Sequence, residues 1–415
     1  MSKIIQGIET VFDLAVKGLG AIDRGEETLD SYLESLDFDS QPRRAVASVL
    51  FACYRHRAVI DELIESHAEK VRPRIHRLLQ VALAQGIFLD RLHPAAVVNA
   101  AVAMGKKRGR REAGFLNAVL RRCLESGENL SDLTKSPLLN LPVTLRDHFI
   151  ANLGSAEAER LAKLFLCHPP TTFRLCGDVS EAELAAVSAV EFIPAFEAGS
   201  SRYYICNDVP TLIKSRLLRD NVAYIQNPST AAAPWMFDFK GDERVLDLCA
   251  APGGKSLILA ERLNKGGKLI AADRSAKRQE MTSENLSRFG YDSEVVVADA
   301  LKPSFQPESF DAILLDVPCS NTGVMHRRPD AAWRFSEESL KSVIELQRDI
   351  LESAAKLVKP GGQLVYSTCS IEPGENDRQV AGFLEKHPEF TIKKQCLILP
   401  DDICDGAGAA LLKKK

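Results

Sequence analysis

The chain has 415 residues, too many for one ordinary domain, so two or three are expected. Hydrophobic residues at 45% and charged residues at 26% exclude a disordered or collagen-like chain. A net charge of −3 gives no overall attraction for nucleic acid, so any such binding must come from a local patch. No apolar run reaches the roughly 20 residues that span a bilayer, and the start carries no apolar stretch of signal-peptide length. Ten cysteines without a repeating C-x-x-C pair indicate neither a metal site nor a disulfide framework. The expectation is a cytoplasmic protein with reduced thiols and no membrane partner.

Residues 1–135 read as helix after helix. Ile5, Ile8, Phe12, Ala15 and Leu19 recur at three- and four-residue steps, and Pro42 suits the first turn of a second helix. Arg57 to His67, Arg74 to Phe88, Pro94 to Gly105 and Arg111 to Leu124 continue the pattern, so this part is expected to be all-α. Residues 136–235 are looser, broken by Ser136-Pro137 and Leu141-Pro142. Short β-like pieces at Thr172 to Leu175 and Arg202 to Ile205 flank a helical Ser180 to Val190, which predicts a small α+β linker domain.

Residues 236–415 alternate apolar strands with helices. The strands are Val245 to Leu248, Leu269 to Asp273, Glu294 to Asp299, Asp311 to Asp316 and Gln363 to Thr368. Before the last strand lies a helix whose face holds Leu340, Val343, Ile344, Ile350, Leu351, Ala354, Leu357 and Val358, interrupted by Gln347. Lys359-Pro360-Gly361-Gly362 should stop that helix before the strand. This texture predicts an α/β Rossmann-like domain with a parallel sheet, covered on both faces, whose ligands bind at the strands' carboxyl ends.

Four acids, Asp247, Asp273, Asp299 and Asp316, end or nearly end four successive strands. The first strand enters Cys249-Ala250-Ala251-Pro252-Gly253-Gly254-Lys255-Ser256, where small residues admit a ligand to the backbone and a helix N-terminus follows. The loop meets neither the G-x-G-x-x-G nor the G-x-x-x-x-G-K-[ST] fingerprint. Asp273, about twenty residues on, stands where an acid would hold ribose hydroxyls.

Val245 to Lys255 resembles the cofactor loop of S-adenosylmethionine-dependent RNA cytosine-C5 methyltransferases. The resemblance implies that Cys249 to Lys255 wrap the methionine part of the cofactor. It places the ribose at Asp273, adenine at Asp299 and the transfer centre near Asp316. Cys249 is then a loop residue and not a nucleophile.

Two further strand ends carry cysteine, in Asp316-Val317-Pro318-Cys319-Ser320 and Thr368-Cys369-Ser370. Cys53, Cys123, Cys167, Cys176, Cys206, Cys396 and Cys404 read as small core residues. Carbon 5 of cytosine is a poor nucleophile, so a thiolate must first add to carbon 6. An acid near ring nitrogen 3 stabilises the developing charge, and a base removes the carbon-5 proton before the thiolate leaves. Cys369, Asp316 and Cys319 are the candidates for nucleophile, acid and release. The assignment between the two cysteines rests on the same resemblance, in which the Thr-Cys-Ser cysteine attacks and the Pro-Cys cysteine assists release. Glu375-Asn376, Thr322-Gly323-Val324, Arg328-Pro329-Asp330, Trp333 and Ile225 to Ser229 extend the match. Asn227 replaces the family's usual Asp, Val317 its usual Ala, and Asp405-Gly406-Ala407-Gly408 its Asp-Gly-Phe-Phe.

In the helical part, Arg77 to Gln80, Asp90 to Pro94, Val98 to Val102 and Ala113 to Arg122 resemble the NusB-type RNA-binding domain. Its fusion to a cytosine-C5 methyltransferase is the arrangement of the bacterial RsmB (Fmu/Sun) family, which acts on 16S ribosomal RNA. Independently, Lys106, Lys107, Arg108, Arg110, Arg111, Arg121 and Arg122 cluster around Glu112, and Lys106, Lys107, Arg110 and Arg111 are the RNA-contact candidates. His93 before Pro94 reads as a turn residue. The expected protein is a monomeric enzyme that takes S-adenosylmethionine and small-subunit ribosomal RNA. The alternatives are a transfer RNA cytosine-C5 methyltransferase and a non-catalytic RNA-binding assembly factor.

Overall fold

The computed structural model describes residues 2–36, 41–89, 92–125, 136–196, 198–263 and 266–415. They divide into two units, one of residues 1–168 with 325–336 and the other of 169–324 with 337–415.

The first unit is built from the helices Ser2–Asp23, Leu29–Ser35, Gln41–Arg55, Arg57–Glu65, Pro73–Ile87, Pro94–Lys106 and Arg110–Glu125. The apolar stripe of the first helix is buried through Phe12, Ala15 and Leu19, which join Leu50, Leu79 and Leu83 in one core. Each fully buried leucine contributes about 2 kcal/mol of transfer free energy. Starts are marked chemically: Thr28 forms a capping box with Ser31, Pro73 and Pro94 occupy first turns, and a His93 ring nitrogen accepts from the Ala95 N–H. His93 is therefore a cap. Asp90 and Arg91 of the quoted NusB-like motif lie outside the described residues.

Helical structure does not end near residue 135. A 3₁₀ turn at Pro137–Asn140 and the helices Val143–Leu153 and Ser155–Leu166 belong to the same unit. The prolines that read as breaks stand where a helix tolerates them: Pro137 opens its turn and Pro142 is the N-cap residue of the next helix. The segment 325–336 also folds here. Asp330 caps the Leu29 N–H (3.2 Å) and pairs with Arg334, the Trp333 indole donates to the Tyr54 carbonyl (2.9 Å), and Arg55 donates to the His326 carbonyl (2.7 Å). Asp330 and Trp333, grouped in the sequence with the catalytic motifs, are thus structural parts of the helical unit.

The second unit opens with a four-stranded antiparallel sheet of β1 (Thr171–Leu175), β2 (Ala189–Phe192), β3 (Tyr203–Cys206) and β4 (Ala223–Ile225), in the order β2-β3-β1-β4. The helix expected to reach Val190 stops at Ala186, because Ser188 turns left-handed (φ 49°) and Val190 enters β2. The main sheet comprises β5 (Arg244–Leu248), β6 (Lys268–Asp273), β7 (Glu294–Val297), β8 (Phe310–Asp316), β9 (Val358–Thr368), β10 (Phe390–Ile398) and β11 (Ala407–Lys414), ordered β10-β11-β9-β8-β5-β6-β7.

Strands β5 to β9 are parallel, as expected, but β11 runs antiparallel to β9 and β10 antiparallel to β11, so the sheet is mixed. The last two strands were hidden because β11 is rich in Ala and Gly, weak strand formers, and β10 is a mostly solvent-facing edge with adjacent lysines. Lys359-Pro360-Gly361-Gly362 is not a stop before the strand; it is an irregularity inside β9, with Gly361 at φ 74°. Alternation splits the core. Leu246, Leu248, Ile313, Leu315 and Leu364 pack under Ile350 and Leu351, while Val245, Ala271, Leu314 and Val365 meet Leu257 and Leu286. In register, Leu248 sits beside Leu315 and Asp316 beside Ser367, so the loops after β5, β6, β8 and β9 leave one edge together.

Candidate active site

The loop after β5 is held from several sides. The Cys249 and Ala250 N–H groups both donate to the Ala272 carbonyl (2.9 Å each), the Asn285 amide to Pro252 O (2.9 Å), and the Arg278 guanidinium to Ala251 O. Gly253 has φ 96°, and a Cβ there would approach Thr282 to 3.1 Å. At Gly254 a Cβ would lie 3.2 Å from the Gln226 amide, whose nitrogen donates to the Gly254 carbonyl (2.9 Å). Only glycine suits the first position, and the helix Gly254–Arg262 starts from it with its N–H groups free for an anion. Asp247, fully buried, accepts from Ser256 Oγ (2.6 Å), and burial pushes its carboxyl up to about 7 against that hydrogen bond. Asp273 ends β6 and accepts from the Ala251 N–H (3.3 Å) and the Ser275 N–H (2.9 Å). Asp299 is exposed just beyond β7 and accepts from the Leu301 N–H (3.0 Å). Burial places the Cys249 thiol far above its ordinary range, so it stays protonated.

Asp316 ends β8, where its Oδ2 accepts from Lys255 Nζ (2.7 Å) and its Oδ1 from Ser367 Oγ (3.3 Å). Burial alone would lower the Lys255 ammonium, but the charge and hydrogen bond of Asp316 more than offset it, so it stays charged. Three residues past Asp316 is Cys319, and Cys369 follows β9 directly. Their sulfurs are 2.9 Å apart with no disulfide between them, although 50 residues separate them in sequence. Cys369 also donates to Asn321 Oδ1 (3.2 Å). The hydrogen bond with Cys369, then burial, holds the Cys319 thiol well above its usual range. Beside Cys369 opens a cleft whose lining includes Ser229, Thr230, Lys255, Asp405 and Gly406. Asn227 fastens its rim, donating to Ile403 O (3.0 Å) and accepting from the Asp405 N–H (3.0 Å).

The ribosomal RNA small subunit methyltransferase B of Shewanella oneidensis is 34% identical over 321 residues, which cover 75% of this chain and 73% of that protein. The chain belongs to the ribosomal RNA small subunit methyltransferase B family. A family model described as 16S rRNA methyltransferase RsmB/F matches residues 234–408, and the NusB family matches residues 9–125. A probable methyltransferase B from Bacillus subtilis is 29% identical over 92% of this chain and 89% of its own. Among solved structures, PH0851 is 25% identical with a TM-score of 0.77 over 99% of both chains. NSun6 from Pyrococcus horikoshii with SFG shares the fold at 20% identity, a TM-score of 0.57, and coverage of 66% of this chain and 98% of that one.

The family's methyl donor is S-adenosylmethionine. The residues here fit it: a loop of small side chains and a helix N-terminus suit a carboxylate, and Asp273 keeps lone pairs for ribose hydroxyls. The RNA-contact candidates lie in the helical unit. Lys106, Lys107, Arg108, Arg110, Arg111, Arg121 and Arg122 are all exposed, but Glu9 from another helix pairs with Lys107 at 2.6 Å. Glu112 is drawn toward Arg74 (3.3 Å), away from the cluster. Of the cysteines read as core residues, Cys167 is exposed at a helix end. Missed from the sequence were Gln226, Ser320, Gln347 and Ser370. Gln347 was visible only as a polar break in an apolar stripe, and it is fully buried at the site.

Proposed function

We propose that this methyltransferase acts on carbon 5 of a cytosine in 16S ribosomal RNA, through a covalent adduct of Cys369 with carbon 6 of the base. One observation carries the reading: two thiols meet at 2.9 Å at the ends of neighbouring strands, beside the Asp316–Lys255 pair. An enzyme that methylates an already nucleophilic atom has no use for a thiol pair there.

In this reading the Cys369 thiolate adds to carbon 6, and the ring electrons move toward nitrogen 3. A proton passed from the Lys255 ammonium through the Asp316 carboxyl to nitrogen 3 neutralises the charge on that side of the ring. Bound S-adenosylmethionine supplies the electrophilic methyl group that carbon 5 attacks. Cys319 then serves the release: its sulfur, as thiolate, takes the carbon-5 proton, the electron pair of that C–H bond re-forms the C5=C6 double bond, and the sulfur–carbon bond breaks with its electrons returning to Cys369 as thiolate. The target cytosine must be unpaired or flipped from its stack for Cys369 to reach it. Lys106, Lys107, Arg110 and Arg111 hold phosphates of the substrate and set its position without reading sequence.

Bisulfite sequencing of ribosomal and transfer RNA, with and without the protein, tests the proposal. One protected cytosine in 16S ribosomal RNA should lose its protection on deletion. Loss confined to transfer RNA would replace the substrate, and no loss would favour the assembly factor.

A further inference from the structure

β8 and β9 stop pairing with each other at Asp316 and Ser367, and little backbone pairing joins the loops that carry the two cysteines. The Val317 N–H reaches Ser367 O (3.0 Å) and the Gly323 N–H reaches Cys369 O (3.1 Å). Between those points sits Glu375, with no exposed surface. Its Oε1 accepts from the Ser320 N–H (2.9 Å) and the Gln347 amide (2.8 Å), and its Oε2 accepts from the hydroxyls of both Ser320 and Ser370. Ser320 directly follows Cys319 and Ser370 directly follows Cys369. One carboxylate therefore grips both cysteine loops at the residue next to each sulfur.

We infer that Glu375 is a positioning residue for the transfer reaction, a buried bridge that fixes the spacing of Cys319 and Cys369. The inference rests on the reading that these two thiols do the chemistry. A carboxylate without exposure is costly unless hydrogen bonds saturate it, and four donors do so here. Burial raises its pKa, and the bonds from Ser320, Ser370 and Gln347 oppose that rise. A second layer holds the bridge in turn. Gln347 also donates to Pro318 O (2.9 Å), and the Tyr366 hydroxyl contacts both Gln347 Oε1 (3.0 Å) and Glu375 O (2.8 Å). Packing alone would be met by an apolar side chain; the site instead commits a charge and four donors to joining two loops. None of these side chains belongs to the loop after β5, so cofactor affinity should not depend on them.

Glu375→Ala, Glu375→Gln and Ser370→Ala separate the possibilities, each assayed for methyl transfer and for the rate at which diamide joins Cys319 to Cys369, read by peptide mass spectrometry. The second assay reports sulfur spacing without catalysis. Glu375→Ala should lower kcat about 100-fold, as an ångström-scale misplacement does, and slow disulfide formation at least about tenfold, with cofactor Kd unchanged. Glu375→Gln keeps an acceptor for the N–H donors, and its amide donates to the serine hydroxyls, so both rates should stay within about tenfold of the parent. Should the alanine variant not fold, Ser370→Ala removes one leg of the bridge with little risk to the fold, and both rates should fall together. Unchanged rates in Ser370→Ala or Glu375→Ala overturn the inference. A glutamine variant as inactive as alanine, with disulfide formation at the parent rate, overturns it too, since charge and not position would then matter. If Cys369→Ala still transfers methyl groups while Glu375→Ala slows disulfide formation, the cysteine chemistry fails and the bridge stands.

Discussion

Cys319 and Cys369 form a hydrogen-bonded pair in which Cys369 helps keep the Cys319 thiol protonated, and the roles proposed for them separate experimentally. Cys369→Ala should abolish methyl incorporation while leaving cofactor binding intact, because the loop after β5 and Asp273 are untouched. Cys319→Ala should permit addition and transfer but stall release, so a protein–RNA adduct that survives denaturing electrophoresis should accumulate. The double variant should show none, and an adduct with Cys369→Ala instead would reverse the roles. Asp247 allows a test on the protein alone. Its folded pKa is raised to about 7 by burial, above the ordinary carboxylate value of about 4. Between those values the folded chain keeps a proton that the unfolded chain has released. Its contribution to stability is therefore present at low pH and lost as pH rises through that window, by about 1.4 kcal/mol per unit. Asp247→Asn removes this slope. Urea midpoints of variant and parent should diverge in the variant's favour from pH 4.5 to 7, and parallel curves would count against a protonated Asp247.

At the scale of elements, the entry to β11 is packed backbone to backbone. Gly406 and Gly323 touch backbone to backbone, with the Gly406 N–H donating to Gly323 O (2.7 Å), and a Cβ on Gly323 would lie 2.8 Å from Cys369 O. Gly408 pairs with Thr368, and a Cβ on it would fall 1.9 Å from Asn376 Oδ1. Asn376 is committed there, accepting from Thr368 Oγ1 (2.8 Å) and donating to Ser370 O (2.9 Å) and Glu372 O (3.0 Å). A large side chain at position 408 has no room against this arrangement. Gly408→Ala should cost about 1–3 kcal/mol by overpacking, seen as a lower urea midpoint, and should disturb the strand end that carries Cys369. A variant as stable as the parent would show that Asn376 moves freely.

For the molecule as a whole, RNA holding is proposed for the helical unit and the chemistry for the other. An acidic chain binds a polyanion only through local charge, and the exposed cations of the helical unit are the candidates to supply it. Replacing Lys106, Lys107, Arg110 and Arg111 by alanine should weaken RNA binding and flatten its salt dependence, by a log–log slope of about 0.7–0.9 per lost phosphate contact. Cofactor affinity, measured by calorimetry, should stay the same. Lys107→Ala alone should matter least, because Glu9 already neutralises that ammonium. An unchanged salt slope in the fourfold variant would place the RNA contacts elsewhere.

The two levels of information divide along physical lines. Periodicity is local, so the chain by itself determined most helices within residues 1–135 and the five parallel strands, and with them the acids and cysteines at strand ends, but not the two helices that extend the first unit to residue 166. Small residues after β5 announced a ligand loop because few other reasons exist to string Ala-Ala-Pro-Gly-Gly between a strand and a helix. Pairings between distant residues leave no such trace. Only the tertiary structure decided that β8 and β9 are neighbours and bring two sulfurs to 2.9 Å, or that β10 and β11 turn the sheet antiparallel at one end. It also decided that residues 325–336 complete the helical core and that Glu9 reaches Lys107. Glu375 shows the limit most sharply: the sequence places it beside Asn376 in the family resemblance, but nothing local says what it holds. Its function depends on three donor residues up to 55 positions away, and a hydrogen bond is made in space, whatever the separation along the chain.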